Sequence, residues 1–66
     1  MLIHVNGDPT EIDDTTTLGS LMDARVADRR GVAVAVDGEV VPRADWDRTT
    51  LTDAARVEIV GAVQGG

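Results

Sequence analysis

The chain has 66 residues and a net charge of −6, from twelve acidic residues against six arginines, and it contains no lysine and no cysteine. A single small domain of this length has too little core to enclose a substrate pocket, which argues against a self-contained enzyme. The missing cysteines exclude disulfides and thiolate metal sites, the single histidine excludes multi-histidine sites, and the acidic balance argues against binding nucleic acid or anionic membranes.

The first residues predict a β-hairpin. Met1–Val5 alternates in polarity as a half-buried strand does, with Leu2 and His4 on its outward side. Asn6-Gly7 is a strong signal for a type I′ turn, and a return strand is expected through Glu11-Ile12.

One helix is predicted next. Thr17 can cap its start, because a threonine hydroxyl accepts a hydrogen bond from a first-turn N–H. Gly31 after Arg29-Arg30 fits its end, with positive charge at the negative end of the helix dipole and a glycine free to adopt the left-handed conformation. The apolar stripe consists of Leu18, Leu21, Met22 and Val26.

A second hairpin follows the helix. Val32–Val36 has a β-branched residue at every second position, which predicts a central strand with its valines inward. Asp37-Gly38 is a second type I′ signal and leads to Glu39–Val41, where Pro42 ends the strand.

A short helical turn and a last strand complete the predicted domain. The turn is expected at Arg43–Trp46, with Trp46 filling the edge of the core and Arg43 pairing with Asp45, Asp47 or a partner. The strand is expected at Arg56–Val60, with Val57 and Ile59 inward.

Together these elements predict a single α+β domain over residues 1–66, a mixed sheet with one helix across one face, with residues 61–66 as a flexible tail. If the first and last strands are parallel neighbours in the middle of the sheet, the arrangement is a β-grasp. Periodicity alone does not select it.

The last residues give the strongest indication of function. Gly65-Gly66 has no side chains, so a carboxylate on Gly66 could thread a narrow enzyme channel in which a Cβ would clash. Residues 61–66 can reach about 20 Å. We therefore expect the Gly66 carboxylate to be a substrate for activation. The alternative is a frayed chain end, which is commonly rich in small residues.

A family pattern covers essentially the whole chain. It comprises Val34–Trp46, Leu51–Asp53, Val57–Val60 and Val63–Gly66. Its most specific part is Val41-Pro42-Arg43 with Trp46, because a final Gly-Gly is common to ubiquitin-like carriers. On these residues the chain resembles the bacterial ThiS family, the sulfur carriers of thiamin biosynthesis, which implies the ubiquitin-like β-grasp fold.

The resemblance implies a protein substrate rather than a catalyst. An E1-like adenylating enzyme (ThiF-type), using ATP and magnesium, would adenylate the Gly66 carboxylate. Sulfur from a cysteine-desulfurase persulfide would displace AMP and leave a thiocarboxylate, which a thiazole synthase (ThiG-type) would use to build the thiazole ring. The carrier itself would bind no cofactor and no metal.

The resemblance also implies a docking face on the sheet, opposite the helix. Leu2 and Ala33 have the outward parity of this face, and Glu39 would add charge to it. The alternative is that these are ordinary scattered surface residues. The residues expected to contact partners are Ala35, Glu58, Val60, Val63 and Gln64, beside Gly65 and Gly66 at the reacting end.

One departure from the family pattern affects the fold. Family members often have Gly-Asp in the turn before the last strand, where this chain has Ala54-Ala55, so we expect a different turn there.

Three other functions fit part of this pattern. A carrier resembling the small subunit of molybdopterin synthase shares the fold, tail and activation, although the short chain and the Val41-Pro42-Arg43 pattern favour the thiamin branch. A ubiquitin-like modifier would conjugate Gly66 to lysines of other proteins. A pure adaptor would keep its function without Gly65-Gly66.

A cytoplasmic location is expected. Leu2–Val5 is too short for the core of a signal peptide, and Val32–Val36, the longest apolar run, is too short to cross a membrane.

Overall fold

The computed structural model describes residues 1–61, which form a mixed sheet with one α-helix and one 3-10 helix. The elements in chain order are β1 (Leu2–Val5), β2 (Asp8–Glu11), α1 (Leu18–Arg25), β3 (Val32–Val36), β4 (Glu39–Val40), the 3-10 helix (Arg43–Arg48) and β5 (Arg56–Gly61). The five strands lie in the order β2-β1-β5-β3-β4. β1 and β5 run parallel at the centre, with His4 beside Arg56 and Val5 beside Val57, whereas the neighbouring pairs are antiparallel. This confirms the predicted β-grasp arrangement.

Both predicted hairpin turns are present. A type I′ turn requires positive φ at its two central residues. Asn6 and Gly7 have φ of 51° and 87°, and Asp37 and Gly38 have φ of 51° and 85°. Each turn joins its two strands through two residues only and therefore fixes which residues lie opposite one another.

The start of α1 is as predicted, but its end is not. Thr17 and Ser20 form a capping box, in which the Ser20 N–H donates to the Thr17 hydroxyl at 3.1 Å and the Thr17 N–H donates to the Ser20 hydroxyl at 3.2 Å. The helix stops at Arg25, so the prediction that it runs to Gly31 was wrong. Gly31 is left-handed, with φ of 75°, but it leads into β3 instead of ending α1.

The segment after α1 brings Arg29 to two aspartates and a tryptophan. Its guanidinium contacts carboxylate oxygens of both Asp23 and Asp47 at 2.8 Å and lies 5.6 Å from the ring centre of Trp46. A residue six positions after Asp23 would not face it on a continuous helix, because only residues three or four apart are neighbours. A Cβ at Gly19 would overlap the Asp47 carboxylate, so glycine makes room for this network.

The ion pairs exclude two of the three pairings predicted for Arg43, those with Asp45 and Asp47, whereas its pairing with a partner protein stays a prediction. Asp45 pairs with Arg48, and Asp47 pairs with Arg29. Within residues 1–61, no carboxylate pairs with Arg43.

The core lies between α1 and the inward side of the sheet. Trp46 is 1% exposed, and its indole N–H donates to the Val41 carbonyl at 2.9 Å, so the single aromatic ring is buried with its polar atom satisfied. This confirms its predicted core role. The other buried apolar residues are Ile3, Val5, Leu18, Leu21, Met22, Val34, Leu51, Ala55 and Val57.

The turn before β5 contains a left-handed alanine. Ala54 has φ of 67°, and its N–H donates to the Leu2 carbonyl at 2.7 Å. Ala55, which follows it, is buried. A left-handed alanine is strained by its Cβ, whereas glycine adopts this conformation freely.

We therefore expect Ala54→Gly to raise the free energy of unfolding by about 0.5–1 kcal/mol, because relief of about 1–2 kcal/mol of strain exceeds the added entropy of the unfolded chain. Urea unfolding followed by circular dichroism measures the change. Ala44→Gly, in the 3-10 helix, is the control and should lower stability by about 0.5–1 kcal/mol. Equal losses at both positions would contradict the prediction.

The Arg29 network should also make stability depend on acid. Hydrogen bonds from Arg29 hold the pKa of Asp23 and of Asp47 below the ordinary value of 3.8. A carboxylate with a lowered native pKa stabilises the fold fully above its unfolded pKa and loses that contribution as the pH falls through the native pKa. Arg29→Gln should therefore be less stable than the wild type at neutral pH, and the difference should shrink toward about pH 2. A difference in urea-unfolding free energy that stayed constant over this range would argue against it.

Candidate functional site

The side of the sheet away from α1, here called the outer face, brings the predicted contact residues together. Ala33 lies opposite Val60, and Ala35 lies opposite Glu58 on one side and Val40 on the other. Residues opposite one another in a sheet project from the same face. The sequence therefore placed Ala35, Glu58 and Val60 correctly on one surface.

That surface contains an apolar patch, which we define as Ala33, Ala35, Val40 and Val60. Val60 is 60% exposed and Val40 is 73% exposed, so both side chains meet solvent. Leu2, on the same face, is 41% exposed. Exposed apolar side chains gathered on one sheet face are a feature of interaction surfaces.

Val40 was missed by the sequence reasoning, although a signal for it exists. A two-residue turn at Asp37-Gly38 must place Val36 opposite Glu39 and Ala35 opposite Val40, as observed. Val40 therefore shares the face of Ala35.

The same register shows that the expected position of Glu39 was wrong. Val36, its partner in the ladder, packs against the core. Glu39 accordingly belongs to the helix side of the sheet and adds no charge to the outer face.

A shallow depression lies between the β1–β2 turn and the apolar patch, and residues of both line it. It forms because the alanines are small and Gly7 has no side chain. Its lining includes Asn6, Gly7, Ala33, Ala35, Val40 and Val60.

Asn6 has a second role that the turn signal did not reveal. Its side-chain oxygen accepts from the Ile59 N–H at 2.8 Å, and its side-chain amide donates to the Ile59 carbonyl at 3.4 Å. Its own N–H donates to the Val57 carbonyl at 2.8 Å. The Asn6 side chain therefore continues the pairing of β5 beyond the end of β1.

Asp37 holds the start of β5 in the same way. Its carboxylate accepts from the Arg56 N–H at 2.9 Å, and its N–H donates to the Arg56 carbonyl at 2.8 Å. The two turn residues thus fix β5 from Arg56 to Ile59 along the outer face.

Two aspartates with lowered pKa values, Asp13 and Asp28, lie in the loops before and after α1. The pKa of Asp28 is lowered to about 2 by hydrogen bonds from Arg30, in the loop after α1. A hydrogen bond from the Thr15 N–H lowers the pKa of Asp13 in the loop before α1. These interactions stabilise loops and do not involve the outer face.

Within residues 1–61, no group of three histidine, cysteine, aspartate or glutamate side chains is arranged to hold a metal ion. None of the helices in this part of the chain has the length and hydropathy needed to span a bilayer.

The predicted contacts Val63 and Gln64 and the predicted reacting end, Gly65 and Gly66, lie outside the described residues. The last described residue, Gly61, ends β5. Its neighbour Val60 belongs to the apolar patch, so the chain enters this segment directly beside that patch.

A mixed sheet with parallel first and last strands at its centre, covered on one face by a single helix, defines a ubiquitin-like β-grasp protein. The model of the ThiS family matches residues 3–66. The crystal structure of the thiamine biosynthesis protein ThiS from Geobacter metallireducens is similar, with a TM-score of 0.82 and 35% identity over 100% of both chains. The solution structure of a thiamine biosynthesis protein from the same organism has a TM-score of 0.78 and 35% identity, covering 100% of this chain and 88% of that chain.

Among curated proteins, none matches the chain significantly. The family match and the full-length structural similarity show that the chain belongs to the ThiS family, and it is a small ubiquitin-like sulfur carrier of thiamin biosynthesis.

The Asn6 contacts can be tested directly. Asn6→Gly keeps a residue suited to positive φ but removes both side-chain bonds to Ile59, so we expect a loss of about 1–2 kcal/mol in urea unfolding and faster hydrogen exchange at the Ile59 amide. Asn6→Asp keeps an acceptor for that amide and should lose less. A glycine variant with unchanged stability and exchange would show that the contacts contribute nothing.

Proposed function

We propose that the chain carries sulfur as a thiocarboxylate on Gly66 and donates it for formation of the thiamin thiazole ring. The observation that carries this proposal is the ThiS-family match, which runs through residue 66 and so includes Gly65-Gly66. The position of β5 supports it, because the central strand of the sheet leads directly into that segment.

The first chemical step is activation of a poor electrophile. The Gly66 carboxylate attacks the α-phosphorus of magnesium-bound ATP in a ThiF-type enzyme, which forms an acyl adenylate and releases pyrophosphate. A persulfide formed by a cysteine desulfurase then attacks the acyl carbon, and AMP leaves. A thiol cleaves the sulfur–sulfur bond of the resulting acyl disulfide, which releases the thiocarboxylate for a ThiG-type thiazole synthase.

The chain offers its own activated carbonyl few competing nucleophiles. It has no cysteine thiol and no lysine amine. The Met1 amino group donates to the Ile12 carbonyl at 2.7 Å and lies 3.0 Å from the Glu11 carboxylate. The hydrogen bond to Glu11 raises the pKa of this amine, so it stays protonated and non-nucleophilic over a wider pH range.

Docking would use the outer face. Val60 and Ala35 would supply apolar contacts and Glu58 a polar one, with Val63 and Gln64 continuing the contact along the segment that enters the enzyme. The exposure of Val40 and Val60 supports this, because covering these side chains with a partner removes apolar surface from water. Docking beside the end of β5 would aim residues 62–66 at the adenylating site.

The test is the intact mass of the protein incubated with ATP, magnesium, a ThiF-type enzyme, a cysteine desulfurase and cysteine. We expect one oxygen-to-sulfur exchange on Gly66, localised by C-terminal fragment ions. A thiol-reactive alkylating agent should convert the thiocarboxylate into a thioester that carries the added mass of the alkyl group. Accurate mass is essential, because oxidation of Met1 or Met22 gives the same nominal change. Met22 is fully buried, which makes it the less reactive of the two.

A variant that lacks Gly66 is the control and should remain unmodified. A wild-type Gly66 that stays a carboxylate under these conditions would refute the sulfur-carrier chemistry. Adducts of Gly66 on lysines of other proteins would instead favour the modifier function.

A further inference from the structure

Four of the six arginines of this acidic protein form ion pairs or hydrogen bonds with its own side chains. Arg29, Arg30 and Arg48 form ion pairs with aspartates, and the Arg25 guanidinium donates to the Thr10 hydroxyl at 3.3 Å. Arg43 and Arg56 differ, because within residues 1–61 no carboxylate lies within 4.0 Å of either guanidinium. Both residues are exposed, but of the two only Arg56 belongs to a strand of the sheet, β5.

Arg56 lies on the outer face beside the only histidine. Its partner in the parallel ladder is His4, so both side chains project from the same side of the sheet. They line a second depression together with Gly7 and Glu58. Glu58 is two positions further along the same strand and shares the face, yet it forms no ion pair with Arg56 in the described structure.

Hydrogen bonds fix the main chain of Arg56, whereas its side chain forms no ion pair within residues 1–61. Asp37 bonds both the N–H and the carbonyl of this residue. The base of the side chain therefore has a fixed position, which reduces the entropy lost when its guanidinium binds a fixed group on another molecule.

We propose that the guanidinium of Arg56, with the imidazole of His4 beside it, binds acidic side chains of the adenylating enzyme docked on the outer face. This rests on the proposed function, which supplies the partner. Arg56 and Val60 stand at opposite ends of β5, about 13 Å apart at 3.3 Å per residue. A charged contact at Arg56 and an apolar contact at Val60 would together fix the orientation of β5 relative to the partner.

Two considerations select protein carboxylates as the occupant. A bidentate guanidinium matches a carboxylate. Because the net charge of the chain is negative, an acidic side chain of a partner on the outer face is attracted to Arg56 and repelled by the acidic groups around it. The phosphates of the reacting nucleotide must lie close to Gly66, whereas Arg56 is about 17 Å from Gly61, at the other end of β5.

The test compares Arg56→Gln with Arg43→Gln in binding to a purified ThiF-type adenylating enzyme from the same organism. Each variant removes one positive charge, and neither arginine forms an ion pair within residues 1–61. We expect Arg56→Gln to raise the Kd by about tenfold at low salt, whereas Arg43→Gln stays within about twofold. The effect of Arg56→Gln should fade as salt is added, and the adenylation rate at saturating carrier should not change.

His4→Gln should weaken binding in the same direction, and Val60→Asp should weaken it at the apolar anchor. Circular dichroism of each variant establishes that it is folded.

Several outcomes would overturn the inference while leaving the proposed function intact. These are a wild-type Kd for Arg56→Gln, an equal loss in Arg43→Gln, or a raised KM for ATP with an unchanged Kd for the carrier, which would assign Arg56 to nucleotide phosphate. A wild-type chain that the enzyme neither binds nor adenylates would overturn both.

Discussion

The parallel pairing of β1 with β5 is the interaction on which the rest of the structure depends. The two strands come from opposite ends of the chain, with the helix and the second hairpin between them in sequence, so their pairing closes the fold. The His4 N–H donates to the Ala55 carbonyl and the Asn6 N–H to the Val57 carbonyl, at 2.9 and 2.8 Å. Because β1 is short, the Asn6 side chain extends this pairing along β5. These bonds fix the start of β5 against β1.

The parts of the fold that the sequence predicted well are those decided by neighbouring residues. Asn6-Gly7 and Asp37-Gly38 form type I′ turns because asparagine, aspartate and glycine tolerate positive φ. Thr17 caps α1 because its hydroxyl reaches an N–H within one turn. Strand parity then places Ala35 and Val60 on one face, with the family resemblance supplying the reason to regard that face as a docking surface.

The parts that the sequence did not predict depend on contacts between distant residues. The helix α1 ends at Arg25, and Arg29 beyond it contacts Asp47 in a different element, a contact that no helix-end signal encodes. The side chain of Asn6 bonds Ile59, far along the chain. Ala54 adopts the left-handed conformation that alanine disfavours, and its N–H bonds the carbonyl of Leu2 at the other end of the chain. The hypothesis of a reacting carboxylate comes from residues 62–66 of the sequence, whereas the described structure shows the surface at the end of β5.

The burial of Trp46 has a practical consequence. It is the only aromatic residue of the chain, so it alone determines the near-ultraviolet absorbance and the intrinsic fluorescence. Its ring is 1% exposed and packs on the helix side of the sheet, with the sheet between it and the outer face. Its emission therefore reports whether the domain is folded. A partner that covers only the outer face leaves the indole in unchanged surroundings, so the intact protein carries a built-in optical signal for folding that is separate from docking.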